Sequence, residues 1–282
     1  MVTFPGDVKL SSLGLGTWRM GEAAARRKRE VAAVRAALDM GWRVIDTAEM
    51  YGDGGAEEVV GEAVGAALRT GAIDREELFV VTKVYPHNAS ARGTVAACER
   101  SLARLGLARI DCYLLHWRGN VPLAETVAAF EELRARGRIG HWGVSNFDVA
   151  DMEELMRVPG GERCATNQIY YALSARGAGF DLVPWMQAHG LATMAYSPID
   201  QGALARNAAL GTVARRRGVS AAQLALAWLM AQRDVMAIPK AASEAHLREN
   251  LAAREIVLDD AERAELDRAF PPPRKKTPLA MI

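Results

Sequence analysis

The sequence predicts one α/β domain, an eight-stranded (β/α)8 barrel of the TIM type, over residues 1–282, with a short C-terminal tail at 271–282. Three observations carry this. Eight short strand-like runs alternate with longer amphipathic segments along the whole chain. Several of the runs (FVVT, CYLL, VMAI) are almost continuously apolar, as strands buried on both faces of a parallel sheet are. Seven of them end in or just before a polar or ionisable residue, and a barrel builds its site at the C-terminal ends of its strands.

The runs lie at 13–17, 43–46, 78–83, 110–116, 139–145, 164–168, 192–196 and 235–239. The polar residues at their ends are Asp46, Lys83, His116, Asn146, Gln168, Tyr196 and Lys240. Between the runs, Leu123, Val127, Phe130 and Leu133 mark one apolar helical face, with Gly137 as its stop. Asp148 reads as an N-cap for the segment holding Met152 and Leu155, and Ser220 with Gln223 as a capping box before LALAWLM. The prolines at 271–273 end the last helix. An open doubly wound sheet is the competing architecture. A dinucleotide-binding version needs GxGxxG, and Gly14-Leu15-Gly16-Thr17-Trp18-Arg19 fails at the third glycine.

The net charge of +1 supplies no field that would draw nucleic acid or an acidic membrane, so neither is expected as a partner. Cys98, Cys112 and Cys164 make neither a metal-ligand spacing nor an even disulfide set, and read as buried thiols in a reducing compartment. His87, His141, His189 and His246 show no metal spacing either, so no metal is expected. The N-terminus lacks a signal pattern, and the longest apolar run, 224–231, is too short to span a bilayer. A cytoplasmic protein is the expectation.

The polar residue types suggest a proton-delivery set. Hydride addition to a carbonyl builds charge on oxygen, so a proton must arrive there. Tyr51 can supply it if a cation moves its pKa down from ~10. Lys83 can be that cation, Asp46 can orient it, and His116 can direct the substrate oxygen. Taken singly, each residue has a plainer explanation: Asp46–Lys83 as a buried ion pair, His116 as a core histidine, Tyr51 as a turn aromatic. Trp18, Tyr85 and Trp117 read as either packing or pocket lining.

These residues sit in GLGTW (14–18), VIDTAEMYG (44–52), VVTKV (80–84), DCYLLHW (111–117), GVSNF (143–147), TNQ (166–168), AYSP (195–198) and IPKAASEAHLREN (238–250). Together and in this order, the segments resemble the aldo-keto reductase superfamily, and TAEMYGDGGAE and VYPHN are similar to small bacterial members assigned as methylglyoxal or aldehyde reductases. The resemblance implies an NADP-dependent oxidoreductase that reduces small aldehydes and ketones, with a catalytic tetrad of Asp46, Tyr51, Lys83 and His116. It implies cofactor contacts from Gly16, Thr17, Trp18, Asp46, Ser145, Asn146 and Gln168. Further cofactor contacts would come from Tyr196, Ser197, Pro198, Ile199, Ile238, Lys240, Ala241, Ser243, Arg248, Glu249 and Asn250. Substrate would meet Trp18, Tyr51, Tyr85, His116 and Trp117. NADPH is the expected cofactor, with NADH a weaker alternative. Two positions depart from the family pattern: Ala241 stands where many relatives have Ser or Thr, and His246 where arginine is common. His116, where reducers of carbon–carbon double bonds carry glutamate, points to carbonyl chemistry.

A monomer acting on a small carbonyl is expected, and the short tail suggests an open pocket. Two other readings stand beside the enzyme: a nicotinamide-binding sensor or subunit with little turnover, and a barrel aldolase or isomerase using Lys83 as a Schiff base.

Overall fold

The computed structural model describes all residues from Met1 to Ile282. The chain opens on an antiparallel hairpin, β1 (Val2–Phe4) and β2 (Val8–Leu10), with Val2 opposite Leu10. Then come β3 (Leu15–Gly16), α1 (Ala24–Asp39), β4 (Val44–Asp46), α2 (Gly55–Arg69), β5 (Phe79–Val84), α3 (Ala91–Leu105) and β6 (Ile110–Leu115). They are followed by α4 (Leu123–Ala135), β7 (Ile139–Ser145), α5 (Val149–Arg157), β8 (Thr166–Tyr170), α6 (Leu182–Ala188) and β9 (Ala192–Tyr196). The chain finishes with α7 (Ala208–Arg217), α8 (Ala221–Met230), β10 (Val235–Ile238), α9 (Glu244–Ala252) and α10 (Asp260–Ala269).

The sheet order is β10-β9-β8-β7-β6-β5-β4-β3, so strands adjacent in sequence are adjacent in the sheet. The registers are parallel, with Asp46 beside Val81, Lys83 beside Leu114, and Val235 beside Thr193. Two further parallel bridges pair Leu13 with Ala237 and Gly16 with Lys240. This is the (β/α)8 arrangement that the sequence predicts. Its cause is visible in the burial: every residue of β5 and β6 is buried, which requires apolar cover on both faces. Helix caps set the crossovers. Ser90 Oγ accepts from Gly93 N, and reciprocal capping boxes join Asp148 to Asp151 and Ser220 to Gln223.

Three expectations need adjustment. The β1–β2 hairpin is not expected from the sequence, because two three-residue strands offer too little alternation to register. The run at 164–168 forms its strand two residues later, at β8, because the 3-10 turn Gly161–Arg163 runs into Cys164. Gln168 therefore stands mid-strand and not at a strand end. Similarly, the run at 13–17 contracts to the two residues of β3.

The chain divides into two compact units. One comprises residues 14–166 and 240–244 and carries β3 to β7 with α1 to α5. The other comprises residues 1–13, 167–239 and 245–282 and carries the hairpin, β9, β10, α6 to α8 and α10. No helix is long and apolar enough to cross a membrane.

Candidate active site

The four residues of the expected proton-delivery set all lie in the 14–166 unit. Asp46 is the last residue of β4, and Lys83 is the penultimate residue of β5. Lys83 is wholly buried and donates from Nζ to Asp46 Oδ1 and Oδ2, both at 2.9 Å, and to the Thr47 carbonyl at 2.8 Å. A fourth contact, at 3.3 Å, reaches the Tyr51 hydroxyl. The imidazole of His116, just past β6, meets the Tyr51 ring edge-on at 5.7 Å. The structure thus brings Asp46, Tyr51, Lys83 and His116 together.

The strand end is locked locally. The backbone N–H and Oγ1 of Thr17 both donate to the Asp46 carbonyl at 3.0 Å, which fixes the strand from which the carboxylate projects. The turn that presents Tyr51 is built from left-handed residues, Gly52 (φ 59), Asp53 (φ 52) and Gly54 (φ 89). It also packs backbone against backbone: a Cβ on Gly21 would stand 2.1 Å from the carbonyl carbon of Gly55. Glycine is required there by contact as well as by its φ of 74. These glycines explain the GDGG spelling that follows Tyr51.

The electrostatics depart from the sequence reading at Tyr51. Burial pushes its phenol up, and this outweighs the lowering by Lys83, so the net shift is upward from 10.0 and not downward as expected. Lys83 runs the other way: burial alone would lower it, but Asp46 and Tyr51 together hold it above its usual value. His116 falls well below 6.5, first through burial and then through the charge of Lys83. At neutral pH the constellation therefore holds a neutral phenol, a charged ammonium and a neutral imidazole. His116 Nδ1 is buried with no hydrogen-bond partner within the protein. An unsatisfied buried imidazole nitrogen is costly and is typical of a group kept for chemistry.

Aromatic side chains flank this cluster. Trp117 lies 5.0 Å from His116 and meets Tyr85 edge-on at 4.9 Å. Trp18 is 37% exposed, with the Arg19 guanidinium 4.5 Å over its ring. Glu49, which the sequence reading passes over, holds the Tyr85 segment. Its carboxylate is buried and accepts from Tyr85 N at 2.8 Å, Asn88 Nδ2 at 3.1 Å and Arg100 at 3.4 Å. The signal was its place three residues after Asp46, inside VIDTAEMYG.

Of the residues expected to hold a cofactor, Gly16, Thr17, Ser145 and Ala241 are buried in the same unit, and Ser243 is partly exposed. Asn146 has a φ of 60 and donates from Nδ2 to the His116 carbonyl and to Ser145 Oγ, each at 3.2 Å. Lys240 is lowered in pKa, first by partial burial and then by Arg26, Arg19 and Arg29, with Glu30 opposing. Such mutual repulsion among cations is relieved by an anion, which fits a phosphorylated dinucleotide. In the other unit, Gln168, Pro198, Ile238 and Asn250 are buried, Ile199 and Glu249 are partly exposed, and Arg248 is exposed. Tyr196 closes β9, Ser197 follows at φ 48, and the Glu249 carbonyl accepts from Gln223 Nε2 at 3.1 Å.

Comparison with known proteins points the same way. The model of the "Aldo/keto reductase family" matches residues 12–270. The methylglyoxal reductase YeaE of Escherichia coli (strain K12) is 51% identical, with 100% of this chain and 99% of that protein covered. The glyoxal reductase of Bacillus subtilis (strain 168) is 32% identical over 94% of this chain and 91% of its own length. A crystal structure of an aldo/keto reductase from Klebsiella pneumoniae in complex with NADP and acetate has a TM-score of 0.94 and 49% identity, covering 100% of this chain and 99% of that one.

Proposed function

The chain belongs to the aldo/keto reductase family, and from that premise we propose that it reduces small aldehydes and ketones with NADPH, Tyr51 supplying the proton. The observation that carries this reading is the contact of the buried Lys83 ammonium with the Tyr51 hydroxyl at 3.3 Å, while Asp46 accepts from the same nitrogen on both oxygens. That arrangement is a positioned acid with a fixed positive charge behind it.

Each residue has a derivable task. Tyr51 is protonated at neutral pH, as an ordinary phenol is, and burial raises it further, so its proton is given up only where the phenolate is stabilised. As its proton leaves, the phenolate that forms sits beside the Lys83 ammonium, so stabilisation grows along the reaction. Asp46 keeps that ammonium charged despite its full burial. The neutral His116 directs the carbonyl oxygen toward Tyr51 by a hydrogen bond and does not compete as an acid. The cofactor, when bound, supplies hydride from C4 of its nicotinamide to the carbonyl carbon. Ser145, Asn146 and Gln168 would bind its carboxamide and Tyr196 its ring. Lys240, Ser243, Arg248, Glu249 and Asn250 would take its adenosine end, with Gly16, Thr17, Trp18, Asp46, Pro198, Ser197, Ile199, Ile238 and Ala241 lining the path.

Trp18, Tyr85 and Trp117 would wall the substrate. The name of the Escherichia coli relative favours methylglyoxal and similar small carbonyls. The same reading takes 1–282 as one barrel domain, acting as a cytoplasmic monomer. The unbroken family match and the free, buried Cys98, Cys112 and Cys164 support it, two of these thiols being pushed up to about 12. Steady-state kinetics on a panel of small aldehydes and bulky ketones, followed by nicotinamide absorbance, tests the proposal. Preference for small aldehydes is the expected result. Cofactor binding without turnover on any of them would favour the sensor or subunit reading.

A further inference from the structure

Tyr85 leads from β5 into a 3-10 turn, Pro86–Asn88, closed by Asn88 N donating to the Tyr85 carbonyl at 2.8 Å. The Tyr85 side chain does not cap this turn. The cap comes from Glu49, 36 positions earlier, whose Oε1 accepts from Tyr85 N at 2.8 Å and from Asn88 Nδ2 at 3.1 Å. One carboxylate oxygen thus holds both ends of the turn. The phrases TAEMYGDGGAE (47–57) and VYPHN (84–88) therefore meet at a single atom.

Three further contacts tie this arrangement to the strands and helices around it. Glu49 N donates to the Lys83 carbonyl at 3.4 Å, so the carboxylate springs from backbone paired with β5. Its Oε2 accepts from the Arg100 guanidinium of α3 at 3.4 Å, and only 8% of the Glu49 side chain is exposed. Just past the turn, Thr126 Oγ1 of α4 donates to the Ala89 carbonyl at 2.7 Å. The ring that the turn carries lies among other rings. Tyr85 meets His87 edge-on at 3.9 Å and Trp117 edge-on at 4.9 Å, and Trp117 lies 5.0 Å from His116. Ring contacts of this kind are weak beside a hydrogen bond to a carboxylate. The place of the Tyr85 ring is therefore set by its backbone, and its backbone by Glu49.

We infer that Glu49 is a specificity-positioning residue: by capping the 85–88 turn it fixes where the Tyr85 ring stands, and so sets the size of carbonyl compound that the site admits. The inference rests on the reading that Tyr85 walls the substrate. Glu49 acts through Tyr85 and takes no part in proton transfer. Without the carboxylate, Tyr85 N and Asn88 Nδ2 turn to water and the turn spreads over several positions. The ring then no longer excludes bulky groups. Selection by size is a difference between two binding energies at that wall, so it responds to a small displacement. The contacts of Lys83 with Asp46 and Tyr51 do not pass through the carboxylate.

The test is the ratio of kcat/KM for methylglyoxal to kcat/KM for phenylglyoxal, which carries a phenyl in place of the methyl, measured with NADPH on the full chain. Glu49→Ala is expected to lower this ratio about tenfold, the scale of one hydrogen bond to a charged group. The change is expected in the KM values, with kcat for methylglyoxal altered far less. Glu49→Gln keeps an acceptor for Tyr85 N and Asn88 Nδ2, and is expected to retain most of the wild-type ratio. In a Tyr85→Ala background, Glu49→Ala is expected to add nothing, because the two act through one ring. An unchanged ratio in Glu49→Ala would overturn the inference, as would a loss confined to kcat or an equal effect with and without the Tyr85 ring. A Glu49→Gln variant as impaired as Glu49→Ala would overturn it too. Should Glu49→Ala fail to fold, Asn88→Ala carries the test, since it leaves the carboxylate paired with Tyr85 N and Arg100. A fall in the ratio there supports the inference, and an unchanged ratio overturns it. Failure of the underlying reading looks different: Tyr85→Ala itself would leave the ratio at its wild-type value.

Discussion

Lys83 Nζ stands 2.9 Å from each carboxylate oxygen of Asp46, and both side chains are buried. The pair serves stability and chemistry at once. Removing one partner leaves a buried charge without compensation, which costs about 3–5 kcal/mol. Lys83→Met and Asp46→Asn should each lower unfolding stability on that scale in a denaturant titration. The double variant Asp46→Leu/Lys83→Met should recover much of the loss while remaining inactive. Equal stability of the single variants and the wild type would contradict the pairing.

His116 links stability to pH. Burial, and next the Lys83 charge, holds its folded pKa well below 6.5, while the unfolded chain binds the proton near 6.5. The unfolded state therefore carries more protons as pH falls below 6.5, and the folded state loses stability there, by up to ~1.4 kcal/mol per pH unit. Thermal melts from pH 7 downward should show this slope, and His116→Asn should flatten it. An unchanged slope in the variant would mean that other groups carry the acid sensitivity.

Lys240 lies in the field of Arg19, Arg26 and Arg29. Lys240→Ala should weaken NADPH binding by about tenfold, the worth of a charge-assisted contact, and NADH binding by much less. Fluorescence titration with both cofactors measures this. Equal weakening would show that Lys240 does not read the 2′-phosphate.

Gly21 and Gly41 provide a matched pair for the Tyr51 turn. Both have positive φ, 74 and 92, but a Cβ on Gly21 meets Gly55 at 2.1 Å whereas one on Gly41 meets nothing within 4 Å. Gly41→Ala should cost ~1 kcal/mol of left-handed strain and leave kcat intact. Gly21→Ala should displace the turn and lower kcat as well. Similar kcat values for the two would mean that the 20–22 loop does not position Tyr51.

Much of this was legible in sequence because buried parallel strands write continuous apolar runs and Asp46, Lys83 and His116 stand at or next to their ends. β7 and β9 fall at their expected limits, Lys83 meets Asp46, and His116 meets Tyr51. What escaped is what depends on geometry across the chain. The upward shift of Tyr51 is a contest between burial and charge, whose winner a sequence does not contain. The Glu49 tie to Tyr85 and the Asp200 tie to Tyr170 join residues more than 25 positions apart, with no periodicity to announce them. β1 and β2 are too short to leave a pattern.

The most direct test of the whole account is Tyr51→Phe in a single-turnover reduction of methylglyoxal, paired with NADPH titration of the same sample. The side chain keeps its ring and loses only the hydroxyl that stands 3.3 Å from Lys83. The rate should fall by about 10²–10⁴, the range of general acid catalysis, with NADPH affinity unchanged. A variant that reduces methylglyoxal at the wild-type rate, or that loses its NADPH binding along with its activity, would contradict it.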